Sequence, residues 1–159
     1  MSSTLNTQLI RVQYEDFKVD ALYEWLRCAS GDGALVTFTG IVRDFNLDGS
    51  ISGIELEQYA PMTELALSAL ATEAQQRFGV TRVAIVHRIG KLTSEQQIVF
   101  VGVTSQHRRA SFDAAQYVMD KLKTDVPLWK KEWLDENEAQ WVSVKPSDIK
   151  AAKRWQSSD

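Results

Sequence analysis

A single cysteine, Cys28, occurs in the 159 residues, so neither an intrachain disulfide nor a cysteine-based metal site can form. Histidine is nearly as scarce. His87 and His107 lie far apart with no ligand spacing around them, which argues against a zinc site of the usual kind and leaves no metal expected. Positive charge is not in excess either: the formal net charge is −3, whereas a general nucleic-acid binder carries a basic surplus. No apolar run approaches a membrane span, and the opening residues MSSTLNTQLI lack the basic start and apolar stretch of a secretion signal. Repeats and low-complexity segments are absent as well. These absences leave a reducing, cytoplasmic compartment as the expectation.

What is present suits one domain spanning residues 1–159, with 44% hydrophobic and 25% charged residues. A domain of that length buries roughly 70% of the surface of its unfolded chain, enough for a self-sufficient core. The first ten residues read as a frayed, partly disordered end feeding a strand. Residues 16–29 carry Leu22, Trp25 and Leu26 at helical spacing, with Asp16 or Asp20 as N-cap. Cys28 lies beside the apolar residues of that helix and reads as a buried thiol. In GALVTFTGIVR, Val36 and Phe38 alternate with threonines; in ISGIELEQY, Ile54 and Leu56 alternate with Glu55 and Glu57. Joined by a turn at 46–50, these two strands are expected to form an antiparallel hairpin. Gly40 within the first marks a bulge or a close backbone approach.

Pro61 suits the first turn of a helix whose stripe is Leu67, Leu70, Ala71, Ala74 and Phe78, with Gly79 as its stop. Tyr59 and Met62 beside it read as packing residues. TRVAIVHRIG and QIVFVGVTS follow as strands, the second apolar on both faces and therefore central. His87 alternates with Val83 and Ile85, so it reads as a satisfied core histidine. Ser105 is the expected cap of a helix with inward face Phe112, Ala115, Met119 and Leu122, ending near Lys123 because Pro127 disfavours a helical residue before it. Two short strands at 127–133 and 140–144 and a terminal helix at about 147–156 complete an α+β fold. Its sheets are antiparallel or mixed, with packed helices in an α/β hammerhead-like arrangement.

Three stretches can carry chemistry. His107, Arg108 and Arg109 crowd the first turn of a helix, where cations oppose the macrodipole at about 0.3–1 kcal/mol each. That violation suggests an anion site at the helix end. The competing reading has the arginines in solvent or paired with Glu55 and Glu57. In KLKTDVPLWKKE, Lys121 and Lys123 suit the last turn of the helix, while Lys130 and Lys131 alternate with Trp129 and Trp133 and face opposite ways. A lysine in an apolar, cationic surrounding has its pKa lowered, which makes it usable as a base or nucleophile. Arg43, closing its strand, can offer a planar fork to phosphate or serve as an ordinary strand-end charge.

The segments FTGIVRDFN, LEQYAPMTE, HRIGKL, VFVGVTSQHRRASFDAAQYVMDKLK and PLWKKE occur in the order found in large subunits of molybdopterin synthase, the MoaE family. The resemblance runs from about Gly33 to Trp155. It implies a sulfurtransferase that makes the dithiolene of molybdopterin, in molybdenum cofactor biosynthesis, from cyclic pyranopterin monophosphate. Sulfur would come from the C-terminal thiocarboxylate of a small ubiquitin-like, MoaD-like partner whose Gly-Gly tail enters a pocket of this chain, so no cofactor is implied. It also implies a homodimer of large subunits, a heterotetramer with the carriers, and no nucleic-acid or membrane partner.

By the same resemblance, Lys123 and Lys130 match the catalytic lysines. Ile41, Val42 and Arg43, His107 and Arg108, and Lys131 and Glu132 match substrate-binding positions. Ile41 stands where other members have a lysine. Lys145 stands where others carry an arginine thought to reach the neighbouring subunit's pocket, and a lysine there forfeits bidentate binding. An alternative from another class is a non-catalytic module that binds an anionic nucleotide or RNA through the same basic residues; a third is a scaffold that merely presents the partner's tail. The tryptophans, on alternating strands, suit packing better than base stacking.

Overall fold

The computed structural model describes residues 6–43, 51–134 and 137–156. Along them run β1 (Gln8–Gln13), α1 (Val19–Arg27), β2 (Ala34–Ile41), β3 (Gly53–Gln58), α2 (Met62–Phe78) and β4 (Val83–Arg88). Then come β5 (Gly90–Leu92), β6 (Gln97–Ser105), α3 (Arg108–Asp125), β7 (Leu128–Trp133), β8 (Ala139–Val142) and α4 (Pro146–Lys153). The described strands form two four-stranded sheets, ordered β1-β4-β6-β2 and β5-β3-β7-β8. Pairing is antiparallel except between β1 and β4, which run parallel. This is the α+β arrangement with mixed pairing that the sequence implied.

The interior strands of the first sheet are apolar on both faces because both faces are covered. Val83 and Ile85 of β4, with Val99, Val101 and Val103 of β6, pack against α2 and α3. Ala84, Val86 and Phe100 point the other way, onto Leu22 and Leu26 of α1. Helix α2 buries Leu67, Leu70, Ala71 and Ala74 and stops at Gly79, whose φ of 69° is left-handed. Helix α3 buries Ala114, Ala115, Tyr117, Val118 and Leu122. Each buried leucine or valine stabilises the fold by roughly 1.5–3 kcal/mol. Val126, with φ −101° and ψ 130°, ends α3 in extended conformation directly before Pro127, as the proline requires.

Several expectations are corrected. Strands β2 and β3 do not form a hairpin. Strand β2 pairs along its length with β6, while β3 lies between β5 and β7 in the other sheet. Alternation only says that a strand has two unlike faces; here Ile54 and Leu56 of β3 close over Val42 and Leu92 between the sheets. The turn expected at 46–50 lies outside the described residues. Fraying was expected over the first ten residues, but residues 8–10 belong to β1, where Gln8 pairs with Val83.

The caps also differ. Lys18 and His107 are the N-caps of α1 and α3, and neither caps through its side chain. Asp16 instead accepts from the Phe17 N–H and Gln97, and the Ser105 hydroxyl lies 2.6 Å from both the His107 carbonyl and the Ser111 hydroxyl. Phe112 is 60% exposed, because the buried stripe of α3 runs through Ser111, Ala115 and Val118 instead. Cys28 is exposed at the C-cap of α1, beyond the last turn that packs on the sheet. Tyr59, Met62, Trp129 and Trp141 are exposed too, with Tyr59 tilted against Trp129 at 6.0 Å between ring centroids.

Candidate active site

Where the two sheets and the C-terminal end of α3 meet, they leave a cavity of about 550 Å³. Its walls come from five directions: the end of β2 and the two residues after it (38–43), Ile54 and Leu56 of β3, His87 and Val99 of the first sheet, Met119, Leu122 and Lys123 of α3 with its C-cap Val126, and Leu128 and Lys130 of β7 with the 142–148 segment. Four cations line it, namely Arg43, Lys123, Lys130 and Lys145. Asp148 is the only acidic lining residue among those described.

Local structure explains each placement. Lys123 stands in the last turn of α3, where the partial negative charge of the helix end favours a cation. On β7, Lys130 pairs with Leu56 of β3 and Val142 of β8, and the residues of one such row share a face. All three therefore turn to the cavity. One residue on, alternation reverses the direction. Lys131 turns away, its amino group 3.1 Å from Glu57 and 4.6 Å from the centre of the Trp141 ring. Glu132 shares the Lys130 face but does not line the cavity.

At the end of β2 the register with β6 shifts between Gly40 and Ile41, the irregularity that Gly40 suggested. A Cβ on Gly40 would lie 2.8 Å from Val99 Cγ1, so this strand also approaches its neighbour as only glycine allows. Beyond the shift, Ile41 and Arg43 are exposed, while buried Val42 is held by Gln96 and Glu95 backbone bonds of 2.8 and 2.9 Å. Lys145 is the N-cap of α4 and lines the cavity of its own chain.

The electrostatics follow from this crowding. Burial holds the Lys130 amine below the ordinary lysine range, and Lys145, Lys123 and Arg43 push the same way against the opposing Glu132. His87 is 5% exposed, and its Nδ1 lies 2.8 Å from the Arg88 carbonyl oxygen. Burial, joined by the charge of Lys123 and opposed by that carbonyl bond, pushes the imidazole down to about 4.

The other half of the expected site lies elsewhere. His107, Arg108 and Arg109 line a separate depression with Phe112 and Asp113 at the opposite end of α3. From Arg108 to Lys123 the helix advances about 22 Å, so within one chain these groups do not meet. Glu55 and Glu57, the alternative partners of those arginines, are instead engaged by Trp133 and Lys131 of β7. The sequence also did not single out His87, Asp148, Ser143 or Val144 as cavity residues. Only His87 gave a signal, an imidazole in a row of valines and isoleucines. No group of three or more His, Cys, Asp or Glu among the described residues is placed to hold a metal ion.

The family model described as MoaE protein matches residues 12–125. A molybdopterin synthase catalytic subunit from Yersinia pestis is 49% identical over 146 residues, covering 92% of this chain and 96% of the relative. The chain belongs to the MoaE family. A solved molybdopterin biosynthesis MoaE protein from Burkholderia ambifaria MC40-6 superposes at a TM-score of 0.79, with 41% identity over 93% of this chain and 97% of that one. The fold is also that of a chain in a complex of subunits 1 and 2 of molybdopterin-converting factor from Helicobacter pylori 26695, at a TM-score of 0.70 and 19% identity over 86% and 90% of the two chains. The family model covers the Arg43, His107, Arg108 and Lys123 positions of this MoaE chain and stops short of Lys130 and Lys145.

Proposed function

We propose that this MoaE chain is the catalytic subunit of a molybdopterin synthase, a sulfurtransferase of molybdenum cofactor biosynthesis. It would move sulfur from the C-terminal thiocarboxylate of a small ubiquitin-like carrier onto cyclic pyranopterin monophosphate and so build the dithiolene. The observation that carries this reading is the meeting of Lys123, Lys130 and Arg43 in one cavity. The volume of about 550 Å³ falls in the roughly 300–1,000 Å³ range of small-molecule sites. A thiocarboxylate tail and a phosphate are both anions, and a local cationic cavity in a net acidic chain attracts them.

The residues divide the work by position and charge. Arg43, at the exposed end of β2, presents a planar fork for phosphate. Lys130, its charge destabilised by burial and by its cationic neighbours, gives up a proton more readily than an ordinary lysine; an anionic tail or intermediate beside it restores the charge and is stabilised in turn. Lys123 acts as general acid and base in sulfur addition and loss of the leaving oxygen. A covalent role for one lysine is the competing version of this step.

Sulfur comes from the partner, so the chemistry needs no bound cofactor and no activated cysteine; Cys28 is no part of the cavity wall. A homodimer, giving a heterotetramer with two carriers, would let His107 and Arg108 of a second copy add to the phosphate site that they cannot reach in their own chain. All of this chemistry belongs in the cytoplasm, and no helix among the described residues is long and apolar enough to cross a membrane. The nucleotide- or RNA-binding alternative finds no support, because the basic residues it needs are split between the two ends of α3.

The test mixes purified chain with thiocarboxylated carrier and cyclic pyranopterin monophosphate and assays dithiolene. Lys123→Ala should nearly abolish product while carrier binding persists; normal turnover by that variant would remove Lys123 from the mechanism.

A further inference from the structure

We propose that His87 is a hydrogen-bond acceptor for the bound pterin, its Nε2 lone pair receiving an N–H or O–H of the substrate inside the cavity. This rests on the reading of the site given above. The row Val83, Ile85, His87 on β4 faces α3, and at its last position a core side chain is replaced by imidazole. In register, His87 lies opposite Val99, and Val99 lies opposite Gly40, so the three sit in one line across the sheet. All three line the cavity. Because Gly40 has no side chain, Val99 Cγ1 packs directly against its backbone, where a Cβ would stand only 2.8 Å away.

Burying an imidazole where a valine would continue the core is costly unless its nitrogens are satisfied. One nitrogen is. A backbone carbonyl only accepts, so the 2.8 Å contact with Arg88 places the ring proton on Nδ1 and leaves Nε2 bare. No described group hydrogen-bonds Nε2, and it is not among the sealed, partnerless polar atoms of the described residues, of which the only one is Asp32 Oδ2. Nε2 therefore opens to the cavity. Among the ionisable side chains of the wall, Arg43, Lys123, Lys130 and Lys145 can only donate while charged. They suit a phosphate and a thiocarboxylate, yet a pterin also carries ring and amino N–H groups that need an acceptor. His87 supplies one on the sheet side; Asp148 stands on α4, on another wall.

Two measurements test this. Nitrogen NMR of imidazole-labelled protein should show His87 Nε2 unprotonated across roughly pH 5 to 8, shifting toward a hydrogen-bonded value on addition of cyclic pyranopterin monophosphate. Sulfate, which has no proton to give, should leave it unmoved. In the full synthase with thiocarboxylated carrier, His87→Leu should raise KM for the pterin roughly threefold to tenfold, the worth of one neutral hydrogen bond, with kcat less affected. His87→Gln, which keeps an acceptor, should recover part of that loss. A protonated Nε2, a shift produced equally by sulfate, or unchanged KM in the leucine variant would overturn the role. The wild-type protein in the same assay separates the two claims. Conversion by wild type with no KM change in His87→Leu sinks only the acceptor, whereas no conversion by wild type sinks the synthase reading while the NMR tautomer still stands or falls alone.

Discussion

Replacing Asp120 by alanine should release the C-terminal helix that carries one wall of the cavity. Asp120 is 8% exposed on α3 and accepts three hydrogen bonds: 2.8 Å from Trp155 Nε1, 3.0 Å from Arg154 and 2.9 Å from Gln116. The Arg154 side chain is 61% exposed, so solvent screening limits its ion pair to about 1 kcal/mol or less. The Trp155 bond to a shielded carboxylate contributes about 1.5–3 kcal/mol, and the Gln116 bond roughly 1 kcal/mol. Together these come to about 4 kcal/mol. For a chain of this length that lowers Tm by about 8–16 °C, at roughly 2–4 °C per kcal/mol.

Trp155 also sits in a ring cluster with Phe78 and Tyr117, at centroid distances of 5.6 and 5.4 Å, which holds part of the contact after the carboxylate is gone. The lower half of that range is therefore expected. Calorimetry at neutral pH measures it. Dithiolene formation below Tm should fall as well, since Lys145 and Asp148 hang from the start of the same helix. A Tm drop of less than about 2 °C, with full activity, would refute the view that Asp120 anchors α4.

Three further outcomes follow from the cavity. Because burial and neighbouring cations depress Lys130, the unfolded chain holds that proton more tightly than the native one, and stability rises with pH from the folded value up to the ordinary 10.5. At neutral pH the charge is thus a cost, and Lys130→Met should melt higher while making no product; a lower Tm would contradict this. His87 works in the acid range. It titrates at about 4 in the fold against 6.5 unfolded, so its contribution is full above pH 6.5 and is lost as pH falls through 4, by about 3 kcal/mol. Denaturant titrations across that range should show the loss in wild type and not in His87→Leu, and equal acid sensitivity would disprove it. Gly40→Ala puts a Cβ 2.8 Å from Val99 Cγ1, which should cost about 1–3 kcal/mol and displace Ile41 to Arg43; unchanged stability and KM would show that the strand gives way freely.

Part of the candidate site was readable in order along the chain. The five segments named the family, and the family named Lys123, Lys130 and Arg43, which the fold brings to one cavity. Periodicity located α2 and the buried strands β4 and β6, and Pro127 ended α3, because these are local matters of side-chain spacing and backbone sterics. Alternation also put Lys130 and Lys131 on opposite faces. What the chain's own order left open was everything set by distance through space. The partner of β2 was misjudged because any alternating strand fits a hairpin as well as a neighbour from another part of the chain. His107 and Arg108 stay about 22 Å from Lys123 because a straight helix separates them. His87 looked like a core residue and is one, yet it also lines the cavity in one cross-strand row with Val99 and Gly40, and only the register reveals that.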